Sequence, residues 1–328
     1  MLSMRSGKVN EAKCLRKLIL FPGSLGDFLC FLPALNVIQG SIPNEKMVLV
    51  TREELLPIAR RILGVSLTSS LDNRLFAKLF VPHASITQEE ADFFSSAYEI
   101  FSWFGHTRSE VKATLNRFAP GRVRSFAFFT GQEDVHASAY YLQCVGQREV
   151  CCPSLLLGPA EKQWLDAYWK LRGWPVSSRV LVLHPGSGGK RKRWEPQGFA
   201  QVSRWWRNNG NRQVVVLLGP AEESEEKAWK NIGTVERCLS VWQAAALLSR
   251  VDLYLGNDSG ISHLAGAVGA RGVTLFGPTK PQQWRPLGGA LSIIHNASYR
   301  MVMPKVAGIS LVEISVEEVC ARLARYGV

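Results

Sequence analysis

Short apolar runs alternate with longer amphipathic stretches along the whole chain, a pattern that predicts strands alternating with helices. In the first half, the apolar runs predict strands at residues 18–21, 47–50 and 125–129. The stretches between and after them predict helices near residues 28–39, 53–63, 109–118 and 135–145. Because strands that are joined through helices usually run parallel, this half is expected to form a parallel α/β sheet.

A second series of the same kind follows a connector that contains Pro and Gly, at residues 151–178. This series predicts strands at 180–183, 214–218, 253–255 and 273–276, and helices near 196–209, 221–230, 241–250, 260–269 and 315–326. We therefore expect an α/β protein of two Rossmann-like halves with a ligand cleft between them. The predicted domains are residues 1–172 and 173–328, and the last helix is a candidate for packing back onto the first domain.

Length and composition agree with two globular domains. The 328 residues fit two cores of roughly 150 residues each. No apolar run approaches the roughly 18–20 residues of a membrane span, and the basic N-terminus lacks the apolar segment of a secretion signal. We expect a cytoplasmic protein. The seven cysteines include no C-x-x-C pair, which argues against a zinc site and against a disulfide framework.

The formal charge of +12 indicates an anionic partner, which could be nucleic acid, an anionic membrane surface or an acidic substrate. No nucleic-acid-binding module is recognisable, and apart from the run at residues 190–193 the basic residues are dispersed. We therefore expect no nucleic-acid partner. Composition leaves the other two classes open.

The segment at residues 251–279 carries the most informative motif. An apolar strand leads into Gly256-Asn257-Asp258-Ser259-Gly260, and a helix of small residues follows. Asn, Asp and Ser cap helix starts, and a helix start at the end of a parallel strand attracts phosphate through its N–H groups and dipole. His263 lies in this helix, where a lone histidine is more often packed than catalytic. Gly-x-Ser-x-Gly is absent because Asn257 takes the first Gly position, which argues against a serine hydrolase.

A similar turn follows the first strand, at Gly23-Ser-Leu-Gly26-Asp27. It puts the Asp27 carboxylate at the start of an apolar helix, beside the carboxyl end of a strand, where it would face the cleft. The alternative is that Asp27 only caps the helix, which is worth about 1 kcal/mol. The turn does not have the spacing of a dinucleotide-binding fingerprint.

Two further strand ends carry charged residues. The strand at residues 180–183 leads into a Gly-rich loop and four consecutive cations, Lys190 to Arg193. Backbone N–H groups and a lysine hold diphosphates in many proteins, although the spacing is not that of a P-loop and a solvated charge run is the alternative. After the strand at 214–218, the acidic pair Glu222 and Glu223 follows at a turn, where a carboxylate could accept both hydroxyls of a ribose or could simply complement a helix dipole.

Taken in order, these motifs resemble glycosyltransferase family 9, the heptosyltransferases of lipopolysaccharide core assembly. The resemblance rests on Gly26-Asp27 with residues 32–35, on residues 184–188 with 192–194, on 219–222, and on 256–265 with 276–279. It implies the GT-B fold, in which two Rossmann-like domains face each other across a central cleft. It also implies that the second domain binds the donor and the first binds the acceptor.

The resemblance implies a role for each matching residue. Asp27 resembles the catalytic base of the family, which removes the acceptor proton in an inverting transfer. The expected donor contacts are the phosphate residues Ser187, Gly188 and Lys192, the ribose residue Glu222, the turn residues Asp258, Ser259 and Gly260, and His263. No carboxylate cluster suits a divalent ion, so we expect no metal and no cofactor besides the donor substrate, ADP-heptose.

The acceptor implied by the resemblance is an anionic lipopolysaccharide core glycolipid. The basic charge then suits peripheral contact with the cytoplasmic face of the inner membrane. Candidate acceptor contacts are Arg60, Arg61, Arg122 and Arg124, for which surface solvation is an equal alternative. Another nucleotide sugar, another glycan acceptor and a non-catalytic nucleotide-sugar-binding protein remain open.

Overall fold

The computed structural model describes residues 16–40, 46–62, 65–129, 131–208, 210–296 and 314–327. The chain divides into two compact units. Unit 1 contains the described residues of Met1–Pro22 and Ile38–Phe128, and unit 2 contains those of Gly23–Val37 and Phe129–Val328. Unit 2 is therefore discontinuous in sequence. The domain boundary at residues 172 and 173 stays a prediction.

Unit 1 is built on a parallel sheet. Its strands are β1 (Arg16–Leu20), β2 (Lys46–Thr51), β3 (Val65–Ser70), β4 (Ala97–Ser102) and β5 (Val123–Ser125). They lie in the order β3-β2-β1-β4-β5 and all pairs are parallel. The central strands β1 and β2 are almost continuously buried, as expected for strands covered on both faces.

The helices in the first part of the chain range from four to fifteen residues. They are α1 (Leu25–Gln39), α2 (Leu56–Ala59), α3 (Arg74–Lys78), α4 (Gln88–Ser95) and α5 (Ser109–Phe118). The capping box of Thr87 and Glu90 begins α4. Most of α1 belongs to unit 2, although this helix connects β1 to β2 along the chain.

Unit 2 contains a larger parallel sheet. Its strands are β6 (Arg179–His184), β7 (Arg212–Leu217), β8 (Thr234–Glu236), β9 (Leu253–Asn257), β10 (Arg271–Phe276) and β11 (Ala290–His295). They lie in the order β11-β10-β9-β6-β7-β8, again with parallel pairing. The chain leaves β6 toward β7 on one side and returns to β9 on the other. The strand order therefore reverses between β6 and β9, and ligands of open α/β sheets bind at the carboxyl ends of the strands at such a point.

The remaining helices belong to unit 2. They are α6 (Ala137–Cys144), α7 (Pro159–Leu171), α8 (Pro196–Arg207), α9 (Glu226–Trp229), α10 (Val241–Arg250), α11 (Gly260–Ala267), α12 (Pro281–Trp284) and α13 (Val316–Ala324). The last helix, α13, contacts α8 and β10 through Val319 and Leu323 in the core of this unit. Within the described ranges, no helix is both long and apolar enough to cross a membrane.

The predicted α/β class is confirmed, and the errors in detail have physical causes. The sequence prediction omitted β3, β4, β8 and β11, of which β3 is rich in polar residues and β8 has only three residues. It also placed a strand at 125–129 where β5 ends at Ser125. The helix predicted at 53–63 is a 3-10 turn, Glu53–Leu55, followed by the short α2.

Candidate active site

Two loops of unit 2 meet at the point where the strand order reverses. The side chain of Asn257, at the end of β9, is fully buried and bridges to the loop after β6. Its Oδ1 accepts from the backbone N–H of Trp194 at 3.1 Å, and its Nδ2 donates to the carbonyl of Pro185 at 2.8 Å. The hydroxyl of Ser187 also donates to the Asp258 carbonyl at 2.7 Å. The predicted donor loops are therefore joined by direct hydrogen bonds.

Asp258 is a buried carboxylate with two donors. Lys192 Nζ lies 2.8 Å from its Oδ2, and the Thr279 hydroxyl donates to the same oxygen at 2.6 Å. The lysine side chain is 32% exposed, whereas that of Asp258 is only 7% exposed. This pair neutralises the buried charge and fixes the lysine at the edge of the loop, where it can meet an anion.

The start of α11 follows directly from Asp258. Ser259 is the N-cap, and its hydroxyl accepts from the Ser262 N–H at 3.3 Å. The Ser262 hydroxyl donates to the Asn257 carbonyl at 2.6 Å, and the Tyr254 hydroxyl lies 2.8 Å from it. These bonds hold the first turn of the helix, whose positive dipole end points toward the loop.

The start of α1 packs against the start of α11, within the same unit. A Cβ atom added to Gly26 would lie 3.0 Å from His263 Cδ2, and one added to Gly260 would lie 3.2 Å from the Gly26 backbone nitrogen. Side chains at these two positions would force the helix starts apart. Glycine at both positions therefore allows the turn that carries Asp27 to approach the turn that carries Asp258.

Asp27 lies in the first turn of α1 and is half-buried. Its Oδ2 accepts from the Ser24 N–H at 2.9 Å and from the Ser24 hydroxyl at 2.7 Å. The sequence predicted a carboxylate at the helix start. The structure places Asp27 at the third residue of α1, where it accepts from Ser24, the residue before the helix. The two donors hold the carboxylate in one orientation and leave it partly open to solvent.

His263 is buried beside Asp27 and Asp258. Its Nδ1 lies 3.6 Å from the Sγ of Cys30, and burial lowers its pKa to about 4. The imidazole is therefore neutral at pH 7. Cys30 is a buried thiol whose pKa is raised by burial and by the charges of Asp27 and Asp258. Sequence reasoning did not single out Cys30, because its position on an apolar helix face gave no signal.

Glu222 is buried at the end of the loop after β7. Its Oε1 lies 2.6 Å from Arg193 Nη2, its Oε2 accepts from the Gly219 N–H at 3.2 Å, and the Ser187 N–H also donates to it. Burial raises the pKa of this carboxyl group, and Arg193 acts in the opposite direction. The sequence placed Arg193 in a run of four cations, interpreted either as diphosphate-binding or as solvated, so its pairing with Glu222 was missed.

His184 adds a second neutral imidazole next to Glu222. Its Nδ1 donates to the Leu217 carbonyl at 2.8 Å, and burial lowers its pKa to about 4. A Cβ atom on Gly186 would lie 2.8 Å from His184 Cε1 and 2.5 Å from Glu222 Oε2. Glycine at 186 is therefore required, because a larger residue would clash with both the imidazole of His184 and the carboxylate of Glu222.

The four arginines suggested as acceptor contacts lie in unit 1. Arg60 and Arg61 are exposed, and Arg60 Nε lies 3.4 Å from the Thr68 hydroxyl. Arg122 donates to the carbonyls of three residues, Ser95, Ala97 and Phe118. Arg124 lies 3.5 Å from Glu99 and stacks over Phe101 and Phe126. The guanidinium of Arg122 thus has a clear structural use.

Comparison with known proteins agrees with the motifs. The model for glycosyltransferase family 9 (heptosyltransferase) matches residues 153–307. Lipopolysaccharide heptosyltransferase 2 of Salmonella typhimurium is 30% identical over 156 residues, which cover 43% of this chain and only 42% of that enzyme. The Escherichia coli enzyme of the same name is 24% identical over 253 residues, covering 72% and 68% of the two chains.

A solved structure supports the fold. The Escherichia coli ADP-heptose lipopolysaccharide heptosyltransferase II superposes with a TM-score of 0.72 at 15% identity, covering 95% of this chain and 98% of that one. Two parallel α/β sheets with this likeness define a protein of the GT-B fold class. Together with the motif matches, the sequence comparisons confirm the resemblance to glycosyltransferase family 9, whose model matches the second half of the chain at residues 153–307.

The neutral state of His263 predicts a pH dependence of stability. The unfolded imidazole takes up a proton near its ordinary pKa of 6.5, whereas the folded one stays neutral down to about 4. The unfolded state therefore binds more protons as the pH falls, and the histidine lowers the free energy of unfolding by about 2 kcal/mol between pH 7 and pH 5. We expect His263→Gln to remove this part of the decrease, measured by chemical denaturation at both pH values. A decrease equal to that of the wild type would contradict the assignment.

Proposed function

We propose that this protein transfers a heptose from ADP-heptose to a lipopolysaccharide core acceptor, with inversion at the anomeric carbon. The observation that carries the proposal is the contact between the starts of α1 and α11, which brings the partly exposed carboxylate of Asp27 near the turn at Asp258 to Gly260, our proposed anion site. The donor and acceptor classes follow from the relatives, which are lipopolysaccharide heptosyltransferases.

Asp27 is the proposed general base. In the transfer step the acceptor hydroxyl oxygen bonds to the anomeric carbon while the bond from that carbon to the β-phosphate oxygen breaks. The hydroxyl proton passes to Asp27, and the electron pair of the broken bond leaves with ADP. The hydroxyl becomes acidic only as the new bond forms, so a strong base is not required and a carboxylate suffices.

The diphosphate charge that develops during this step needs preorganised positive groups. We assign this role to Lys192, to the backbone around Ser187 and Gly188, and to the start of α11 at Ser259 and Gly260. Asp258 acts through Lys192, since it orients the ammonium group. His263, one turn further into α11, contributes a neutral polar contact, and we propose that the transfer needs no metal ion or further cofactor.

Positive charge is the basis for the proposed acceptor-binding residues. Arg60, Arg61, Arg122 and Arg124 lie in unit 1, and the whole chain has a formal charge of +12. An anionic glycolipid and an anionic leaflet would both be attracted to such a protein. We therefore propose a cytoplasmic protein that contacts the inner membrane peripherally, with Arg122 the least available of the four arginines because it already binds three carbonyls.

Asp27→Asn tests the proposed base. Asparagine keeps an oxygen that can accept from Ser24, but it cannot take a proton, so we expect transfer to fall by about 10²- to 10⁴-fold. The assay is incubation with ADP-heptose and truncated lipopolysaccharides, with mass spectrometry detecting the gain of one heptose. ADP affinity, measured by calorimetry, should be nearly unchanged. Ser24→Ala is the matched control, since it removes one donor and keeps the carboxylate. Retained turnover in Asp27→Asn would refute the role.

Lys192→Ala tests the diphosphate site. Loss of a charge-assisted hydrogen bond should weaken ADP binding by about 1–3 kcal/mol. The exposed Lys190, two residues earlier in the same run, provides the control, and Lys190→Ala should change the ADP dissociation constant far less. Equal effects of the two substitutions would mean that only the overall charge of the run matters.

Donor identity is tested by comparing nucleotides on the wild-type protein. We expect ADP to bind more tightly than UDP in calorimetry, because the proposed donor is an ADP-sugar. Tight binding of UDP without binding of ADP would overturn this assignment. Nucleotide binding together with no heptose gain on any truncated lipopolysaccharide would favour another acceptor or a protein without transferase activity.

A further inference from the structure

Arg193 has a different surrounding from its neighbour Lys192. Its guanidinium reaches the buried Glu222 at 2.6 Å, the more exposed Glu225 at 3.2 Å and the Ser187 carbonyl at 3.4 Å. The arginine side chain is 17% exposed, whereas the Glu222 and Glu225 side chains are 4% and 43% exposed. Two consecutive cations thus serve two different buried carboxylates, Lys192 with Asp258 and Arg193 with Glu222.

The buried Glu222 needs this cation. A carboxylate that is removed from water without a partner is strongly destabilised and takes up a proton instead. The neighbouring His184 is neutral and supplies no charge, and Glu225 adds a negative one. Among the groups that the structure describes around Glu222, the backbone N–H groups of Ser187 and Gly219 supplement Arg193.

The bonds to Glu222 also limit what it can accept. A carboxylate has about four lone-pair directions. Arg193 Nη2 uses one on Oε1, and the Gly219 and Ser187 N–H groups use two more. One direction is left for a ligand hydroxyl, whereas the sequence suggested that a carboxylate of the Glu222–Glu223 pair accepts both hydroxyls of a ribose.

We propose that Arg193 is a positioning residue for the donor nucleotide: it holds Glu222 ionised and oriented so that this carboxylate accepts a single ribose hydroxyl. The inference rests on the proposed donor role of Glu222. Recognition of the ribose then depends on Arg193, although Arg193 itself does not contact the ribose, and Glu222 binds only one of the two ribose hydroxyls.

The experiment measures dissociation constants of ADP, 2′-deoxy-ADP and 3′-deoxy-ADP by calorimetry. For the wild type we expect one of the deoxy analogues to bind about 10- to 100-fold more weakly than ADP, as for loss of a hydrogen bond to a charged group, and the other to bind like ADP. Arg193→Met keeps the apolar stem and removes the charge. In this variant ADP itself should bind weakly, and the ratio between ADP and the sensitive analogue should approach one.

Controls separate positioning from general damage. Arg193→Lys keeps the charge and should restore part of the discrimination. Glu225→Gln removes the exposed partner of Arg193 and should leave the wild-type ratios. If Arg193→Met does not fold, the double variant Arg193→Met with Glu222→Gln provides a folded protein, since a neutral amide needs no buried counter-charge. That variant should not distinguish ADP from either analogue.

The pH dependence gives a readout that a purely structural role would not change. Without Arg193 the pKa of Glu222 rises further, so ADP affinity of Arg193→Met should fall more steeply than that of the wild type between pH 8 and pH 6. His184, with a pKa of about 4, stays neutral over this range. Parallel pH profiles would overturn the proposal.

The outcomes distinguish this inference from the proposed function. If neither deoxy analogue nor Glu222→Gln changes binding, Glu222 does not contact the donor, and the proposed donor role fails. If Glu222→Gln weakens ADP binding while Arg193→Met keeps the wild-type ratios, the donor role stands and the positioning role of Arg193 is wrong. Equal weakening by both analogues would overturn the single-hydroxyl assignment.

Discussion

The site depends on the buried carboxamide of Asn257. It accepts from the loop after β6 with one end and donates to it with the other, so the two loops at the strand-order reversal cannot move independently. An amide is suited to this because it offers a donor and an acceptor without a charge that burial would penalise. Lys192 lies on one of these loops and the start of α11 follows the other, so the Asn257 side chain links both parts of the site.

Charge in the site is arranged in pairs. Each of the two buried carboxylates, Asp258 and Glu222, has one cation from the same short 3-10 turn at Lys190–Lys192 and the residue after it. The two buried imidazoles are neutral. Pairing of this kind keeps the loop stable before an anion arrives, because the cations are already partnered. An anion that bound at Lys192 would have to compete with Asp258 for the ammonium group, so a strongly charged anion would be favoured over a weakly charged one.

Much of this arrangement could be predicted from the sequence, because it depends on short-range chemistry. Gly-rich turns after apolar runs located Asp27, the cation run that contains Lys192, and Asp258, and small residues predicted the start of α11. The missing parts depend on contacts across the fold. Arg193 resembles its neighbours in a run of cations, and only the folded loop shows that it faces Glu222 from 29 positions away. Strand β4, which lies next to β1, was missed because the polar residues Tyr98, Glu99 and Ser102 interrupt its apolar pattern.

The discontinuity of unit 2 has a consequence for how the protein is made. Helix α1 leaves the ribosome early, yet the aromatic ring of Phe31 packs edge-to-face on Tyr141, and Gly26 rests on a helix that begins at residue 260. The apolar residues of this helix therefore lack their packing partners until residue 141 and the helix at residue 260 have been synthesised. During that interval its apolar residues are exposed, and a fragment that starts after residue 37 would lack the helix that these partners pack against.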